Sequence, residues 1–251
     1  MTKLVILGSS NAIASQNHEN THMAIVGSEK TFLIDSPGNP LVRLKQLDVP
    51  IEQITDLLLT HFHPDHVAGV PLFLMDLWLL GRKSPLVIHG LDYTLERIEK
   101  VMELNNWKRW PGFYQVSFNR LPEQEMTKVV DHGEYKIYAS PVRHLIPTIG
   151  LRVEFPKTRK AIAYSCDTEP CPEVVRLAGG VDVLIHEAAG NAKGHSSPRQ
   201  AGKVAHEAEV NNLYLIHYPT WDVDPQPFIA EAQESFGGYV DLATDMMEME
   251  F

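Results

Sequence analysis

The stretch Leu57-Leu58-Leu59-Thr60-His61-Phe62-His63-Pro64-Asp65-His66 decides how this chain is read. An apolar run of strand character delivers three imidazoles and a carboxylate, and a helical pattern starts directly behind them. His61 and His63, two apart in an extended segment, point to the same side. Asp65 and His66 follow on the turn into the helix, so the two pairs can address two adjacent centres. Neutral imidazoles and carboxylates are a donor set for Zn, Mn or Fe(II), with no thiolate required. Without a cation, groups packed this closely repel one another or are desolvated at a cost. The segment is therefore read as metal-binding.

Outward from it, short apolar runs alternate with helical patterns. Strands are expected at 3–7, 31–34, 56–59, 86–89, 136–139, 150–155, 160–165, 181–186, 212–217 and 239–243. Helices are expected at 67–80, 92–104, 171–178, 198–208 and 224–236, the fourth opened by Ser196 and Ser197 ahead of Pro198. The balance is α/β, without an internal repeat or a low-complexity linker, so residues 1–251 are read as a single domain. The stretch 105–124 is the least regular. Its aromatic residues Trp107, Trp110, Phe113, Tyr114 and Phe118 are expected to pin a loop to the core, or else to wall the substrate pocket or form a dimer contact.

Composition narrows the function. The chain has 251 residues, and 22 Lys and Arg against 32 Asp and Glu give a formal net charge of −10. That balance argues against a broad nucleic-acid surface, which needs clustered cations. The longest apolar stretch, 72–80, is interrupted by Asp76 and falls far short of the roughly 20 residues of a membrane span. Two cysteines cannot build a disulfide framework, and no secretory leader is visible, so a reducing cytoplasm is expected. Twelve histidines are the unusual count. Three more candidate ligands sit at or just beyond strand ends: His144, Asp167 and His217.

His-x-His-x-Asp-His followed in order by His144, Asp167 in Tyr164-Ser165-Cys166-Asp167-Thr168, and His217 resembles the metallo-β-lactamase superfamily over essentially the whole chain. Val183-Leu184-Ile185-His186-Glu187-Ala188 and Gly194-His195-Ser196-Ser197 resemble its ribonuclease Z and arylsulfatase-like branch. The resemblance implies a four-layer αβ/βα sandwich with a dinuclear site at one edge. It implies one metal on His61, His63 and His144, a second on Asp65, His66 and His217, and Asp167 bridging them. Zn is expected, with Mn and Fe as alternatives. His195, placed by Glu187, would be the catalytic histidine, with Asp65 beside it in the reacting centre. A homodimer is a further expectation from the resemblance.

Ribonuclease Z itself carries an arm of several dozen residues between the third ligand motif and the bridging aspartate, and that arm grips transfer RNA. Here His144 and Asp167 are only 23 residues apart, and the interval is filled by two predicted strands and a turn. The arm is absent. A dinuclear hydrolase of small anionic phosphodiesters is therefore expected, with a metal-bridging hydroxide as nucleophile. The alternatives, in order, are an arylsulfatase-like hydrolase, a transfer-RNA 3′ endonuclease, a β-lactamase-like acyl hydrolase, and a non-enzymatic metal-dependent sensor. Cys166 is expected in the core, on the face opposite Asp167 by strand alternation, and Cys171 is expected to be inert. His186 is a candidate partner of the site. His18, His22, His89, His132 and His206 are read as surface or satisfied histidines, with His22 the exception to watch. Asp35 is expected to hydrogen-bond a histidine of the metal cluster.

Overall fold

The computed structural model describes residues 2–251. The first half of the chain supplies β1 (Lys3–Gly8), β2 (His22–Val26), β3 (Thr31–Ile34), β4 (Ile54–Leu58), β5 (Leu86–Leu91) and β6 (Val116–Leu121). The second half supplies β7 (Thr127–Asp131), β8 (Lys136–Val142), β9 (Thr148–Phe155), β10 (Lys160–Tyr164), β11 (Val183–Glu187), β12 (Asn212–Ile216), β13 (Tyr239–Leu242) and β14 (Glu248–Glu250). They form two seven-stranded sheets, ordered β14-β1-β2-β3-β4-β5-β6 and β13-β12-β11-β10-β9-β8-β7. Each sheet is mixed: β3 to β6 run parallel in one and β10 to β13 in the other, with antiparallel strands completing both.

Period-two side-chain alternation builds the layers. On β1, Leu4 and Ile6 enter the core between the sheets, whereas Val5 and Leu7 face the first helical layer. That layer holds α1 (Leu41–Gln46), α2 (Pro64–Val67), α3 (Val70–Leu79) and α4 (Asp92–Leu104). On β11, Val183 and Ile185 enter the central core, and Leu184 packs under α5 (Pro172–Ala178), α6 (Pro198–Glu207) and α7 (Gln226–Phe236). This is the expected αβ/βα sandwich.

Every expected strand is present, all but one within two residues at both ends; β8 runs three residues past the expected 139, to Val142. Four strands and α1 were not foreseen, and β6 corrects the reading of 105–124 as loop throughout. The expected helix 67–80 is α3, which begins only at Val70, and α2 stands as a separate turn ahead of it across Ala68–Gly69. A Cβ on Gly69 would collide with the Gly38 carbonyl, so glycine lets the segment after β3 press against this junction. Backbone bonds from Ser36 N to the His66 carbonyl and from Gly69 N to the Ser36 carbonyl fix the approach. It brings Asp35 to His66.

The aromatic segment cannot wall a pocket at the histidines. β6 runs parallel to β5 and β4, and Gln115 accepts from Leu86 N at the start of β5, whereas the histidines follow the end of β4. Trp78, near the C-terminal end of α3, stacks on Trp110 and donates to the Pro111 carbonyl at that far end. The aromatics there pack against the first helical layer's core, as the plainer expectation had it.

Candidate metal centre

The cluster assembles where strands of both sheets end. His61, His63, Asp65 and His66 follow β4, His144 follows β8, Asp167 follows β10 and His217 follows β12. Three strand ends turn sharply through left-handed backbone at non-glycine residues: Asp35 (φ 64°), Cys166 (φ 53°) and His217 (φ 54°). Such conformations cost about 1–3 kcal/mol each and concentrate at functional sites.

Two groups of donors result, sharing one aspartate. In the first, His61 Nε2, His63 Nδ1 and His144 Nε2 meet, with successive separations of 3.0 and 3.1 Å. Asp167 Oδ2 lies 3.9 and 4.0 Å from the His61 and His144 nitrogens. In the second, His66 Nε2 lies 3.6 Å from Asp65 Oδ2 and 3.5 Å from Asp167 Oδ1. His217 Nε2 lies 3.9 Å from Asp65 Oδ2 and 3.3 Å from Asp167 Oδ2. Ligands about 2.0–2.1 Å from a tetrahedral ion stand about 3.3 Å from one another, so both groups have the spacing of a cation's donors.

The outward hydrogen bonds decide which ring nitrogens carry lone pairs. His61 Nδ1 donates to Thr60 Oγ1 (3.1 Å), whose own hydrogen goes to Asp35 Oδ2 (2.8 Å). His66 Nδ1 donates to Asp35 Oδ2 (2.7 Å), and His144 Nδ1 to the Gly194 carbonyl (2.6 Å). His217 Nδ1 donates to Thr21 Oγ1 (3.1 Å), whose hydrogen goes to the Ser10 carbonyl (2.9 Å). Four rings thus keep a hydrogen on the outside and turn Nε2 inward. Buried His66 Nε2 and Asp167 Oδ1 have no hydrogen-bond partner. Convergent lone pairs and unpartnered carboxylate oxygens fit divalent cations, and nothing else among the described residues satisfies them.

Electrostatics agree. Burial holds His61, His63 and His144 below the ordinary imidazole value and His217 at about 4, so these rings are neutral donors. Burial also disfavours charge on His66, but Asp167 and Asp35 outweigh it and favour a positive charge there. Burial opposes ionisation of Asp167; His217 and His66 override it and hold the carboxyl well below its usual range. The carboxylates thus favour positive charge at this point, which a cation would supply in place of a proton on His66.

Beside the two groups stands His195. Its ring packs edge-on against His144 (centroids 5.0 Å apart) and parallel to His217 (6.0 Å). Its Nδ1 lies 3.0 Å from Oε1 of Glu187, which is fully buried at the end of β11. Backbone N–H groups of Thr168, Ser196 and Ala189 also donate to Glu187. Burial pushes Glu187 up to about 7, and its hydrogen bond holds His195 above the ordinary imidazole value. The pair keeps a proton near neutrality. The loop carrying His195 runs into α6 through a Ser197–Gln200 capping box, which fixes its exit.

All candidate site residues come together here, including Asp35. Thr21, Thr60 and the Gly194 carbonyl were not foreseen. Cys166 lies in the central core as expected, but its Sγ is 3.6 Å from His61 Nδ1: β10 has ended at Tyr164, so strand alternation does not apply. His186 bonds to the Glu187 carbonyl and makes no hydrogen bond to the cluster among the described residues. His22 is buried on the Asn20 carbonyl, with Nε2 unpartnered.

A two-centre His/Asp cluster at one end of an αβ/βα sandwich defines a class of metal-dependent hydrolases. The family model described as a beta-lactamase superfamily domain matches residues 31–218, and the chain belongs to that superfamily. It is similar to a ribonuclease Z of Methanothermobacter thermautotrophicus, 26% identical, with 100% of this chain and 97% of the relative covered. Among solved structures it resembles the metallo-beta-lactamase fold protein YhfI from Bacillus subtilis (TM-score 0.83, 20% identity, 100% and 99% covered). It also resembles human tRNase Z, short form (TM-score 0.76, 22% identity, 99% and 98% covered). The alignment with the archaeal ribonuclease Z extends over 305 positions for 251 residues here, so about fifty positions of it face gaps in this chain. The protein is a metal-dependent hydrolase of this superfamily. No helix among the described residues is long and apolar enough to cross a membrane.

Proposed function

We propose that the protein hydrolyses small phosphodiesters, cyclic nucleotides or alkyl and aryl diesters, with two divalent cations per chain. One is held by His61, His63 and His144 and the other by Asp65, His66 and His217, with Asp167 common to both. Zinc is the first choice, and Mn or Fe fits the same donors. When bound, such a pair activates a water for attack and offsets the anionic charge of the ester.

His195 is the catalytic acid. In its imidazolium form Nδ1–H is committed to Glu187, which leaves Nε2–H for the leaving oxygen. The water oxygen bonds to phosphorus while the bond from phosphorus to the leaving oxygen breaks. The Nε2 proton passes to that oxygen, and the proton lost by the water restores His195. The products are a phosphomonoester and an alcohol. Glu187 keeps the ring oriented and favours its charged form. The observation that carries this reading is one imidazole, backed by a buried carboxylate, packed on a histidine of each donor group.

Ribonuclease Z-type processing of transfer RNA is the alternative that the relatives' names favour. The gapped positions, the short connection from His144 to Asp167 and the net charge of −10 weigh against it. Arylsulfate hydrolysis uses similar anionic oxygens and is the nearer competitor. Because donors come from the ends of strands in both sheets, residues 1–251 are read as one domain, and a cytoplasmic homodimer completes the proposal. The test is hydrolysis of bis(p-nitrophenyl) phosphate beside p-nitrophenyl sulfate on protein of measured metal content, before and after chelation. Diester turnover lost on chelation and restored by metal is expected. Preference for the sulfate would promote the competitor, and no turnover by protein carrying two metals would overturn the reading.

A further inference from the structure

Three of the large apolar side chains that stand exposed on this protein belong to the loops around the metal centre: Ile13 (59% exposed), Leu145 (53%) and Trp221 (61%). Single exposed apolar residues are ordinary; the position of these three is not. Ser10 Oγ donates to the Ile13 carbonyl and meets Thr220 Oγ1 at 2.7 Å, which brings Ile13 and Trp221 to one side of the mouth. The Ser10 carbonyl also takes the hydrogen of Thr21, the residue behind His217. Leu145 follows His144 on the other side. Its Cγ closes on Gly194, 2.9 Å from where a Cβ would stand, and the Gly194 carbonyl holds His144. His195, next in the chain, packs on both His144 and His217, the two residues from which the Leu145 and Trp221 loops depart.

Charge at the mouth is unfavourable for a polyanion. The segments that follow strands at this end contain two basic residues, Arg143 and Lys193. Against them stand Glu19, Glu169, Asp222, Asp224 and Asp245, besides the acidic residues of the cluster. Arg43 on α1 is already paired with Glu19 and Asp245, each at 2.9 Å. Every phosphate of a nucleic acid beyond the reacting one would meet this acidic rim. A single anionic phosphate with an apolar arm would not.

We propose that the site selects a monoanionic phosphodiester whose organic arm is apolar, aryl or alkyl, and is received between Ile13 and Trp221 on one side and Leu145 on the other. This rests on the phosphodiesterase reading above. The test is calorimetric titration of the metal-loaded protein with diphenyl phosphate, dimethyl phosphate and the dinucleotide uridylyl-uridine. Diphenyl phosphate should bind about tenfold more tightly than dimethyl phosphate, the order expected from burying part of one aromatic ring, and more tightly than the dinucleotide. Trp221→Ala and Leu145→Ala should each remove most of that preference. Leu104→Ala, on an exposed residue at the end of α4, should keep it. Equal affinities for the two simple diesters, or a preference that survives both substitutions, would overturn the proposal. Tighter binding of the dinucleotide would also overturn it, in favour of nucleic acid. Bis(p-nitrophenyl) phosphate separates the levels: turnover with equal diester affinities removes the rim assignment alone, whereas no turnover removes the phosphodiesterase reading and this inference with it.

Discussion

Two clusters of histidine and aspartate lie buried in this protein, both involving β4, and their hydrogen bonds run in opposite senses. In one, Asp56 on β4 accepts His89 Nε2 at 2.9 Å, His132 Nε2 at 2.8 Å and Thr55 Oγ1 at 2.6 Å. His89 Nδ1 in turn accepts from Asn119 (2.9 Å), and His132 Nδ1 from Lys30 (3.3 Å). Both rings spend a hydrogen on the carboxylate and a lone pair on a donor, so nothing is left over. In the other, just past the end of β4, the rings give their hydrogens to the outside and turn lone pairs toward one another. The residue types are the same. The direction of the ring hydrogen bonds separates a closed polar staple between the sheets from a set that needs a cation.

That contrast can be broken or sharpened by substitution. The largest effect is expected for Asp167→Ala, which removes the oxygen common to both donor groups: the protein should lose bound metal, measured by elemental analysis, and its diester turnover with it. Loss of metal with full turnover would break the assignment. Next, His195→Ala should keep metal and lose roughly 10²–10⁴-fold in kcat. Because the ring binds no cation in this account, the combination of retained metal and lost rate is the diagnostic result.

The closed cluster should behave in the reverse way. Asp56→Asn should leave metal content unchanged and cost about 2–4 kcal/mol of stability by urea unfolding at pH 7, since buried His89 and half-buried His132 lose their shared acceptor. Burial opposes ionisation of Asp56, but hydrogen bonds from His132, His89 and Thr55 override it and hold the carboxyl below its usual range. Its contribution is therefore complete above the unfolded aspartate value of about 3.9 and is lost as pH falls through the depressed value. The gap between wild type and Asp56→Asn should shrink on acidification, and a gap that widened would contradict the account. The smallest effect is expected for Thr21→Val, which removes the outer acceptor of His217: metal affinity should fall about 10–100-fold with the fold intact.

The strand that ends in His61 was legible because its apolar run stops where the imidazoles start, and both features lie within ten residues. His144, Asp167, His195 and His217 were legible only through their order along the chain, which matched a resemblance. The rest of the site was not legible, for a physical reason: its outer partners are remote in sequence. Thr21 meets His217 across 196 residues, and a threonine at the start of a strand announces nothing. Cys166 was read by strand alternation, which fails once the backbone turns left-handed. In the fold, β6 was hidden because its one aromatic, Phe118, continues a run begun in the preceding turn, and β14 is too short to show a period.

The central claim is that inward-facing donors in two groups hold two cations. Zinc titration of chelator-stripped protein against a competing chromophoric chelator tests it most directly. The account predicts two tightly held ions per wild-type chain, with His63→Ala and Asp65→Ala weakening the retention of different ones. A folded chain that takes up no zinc, or whose uptake is untouched by either substitution, would contradict it.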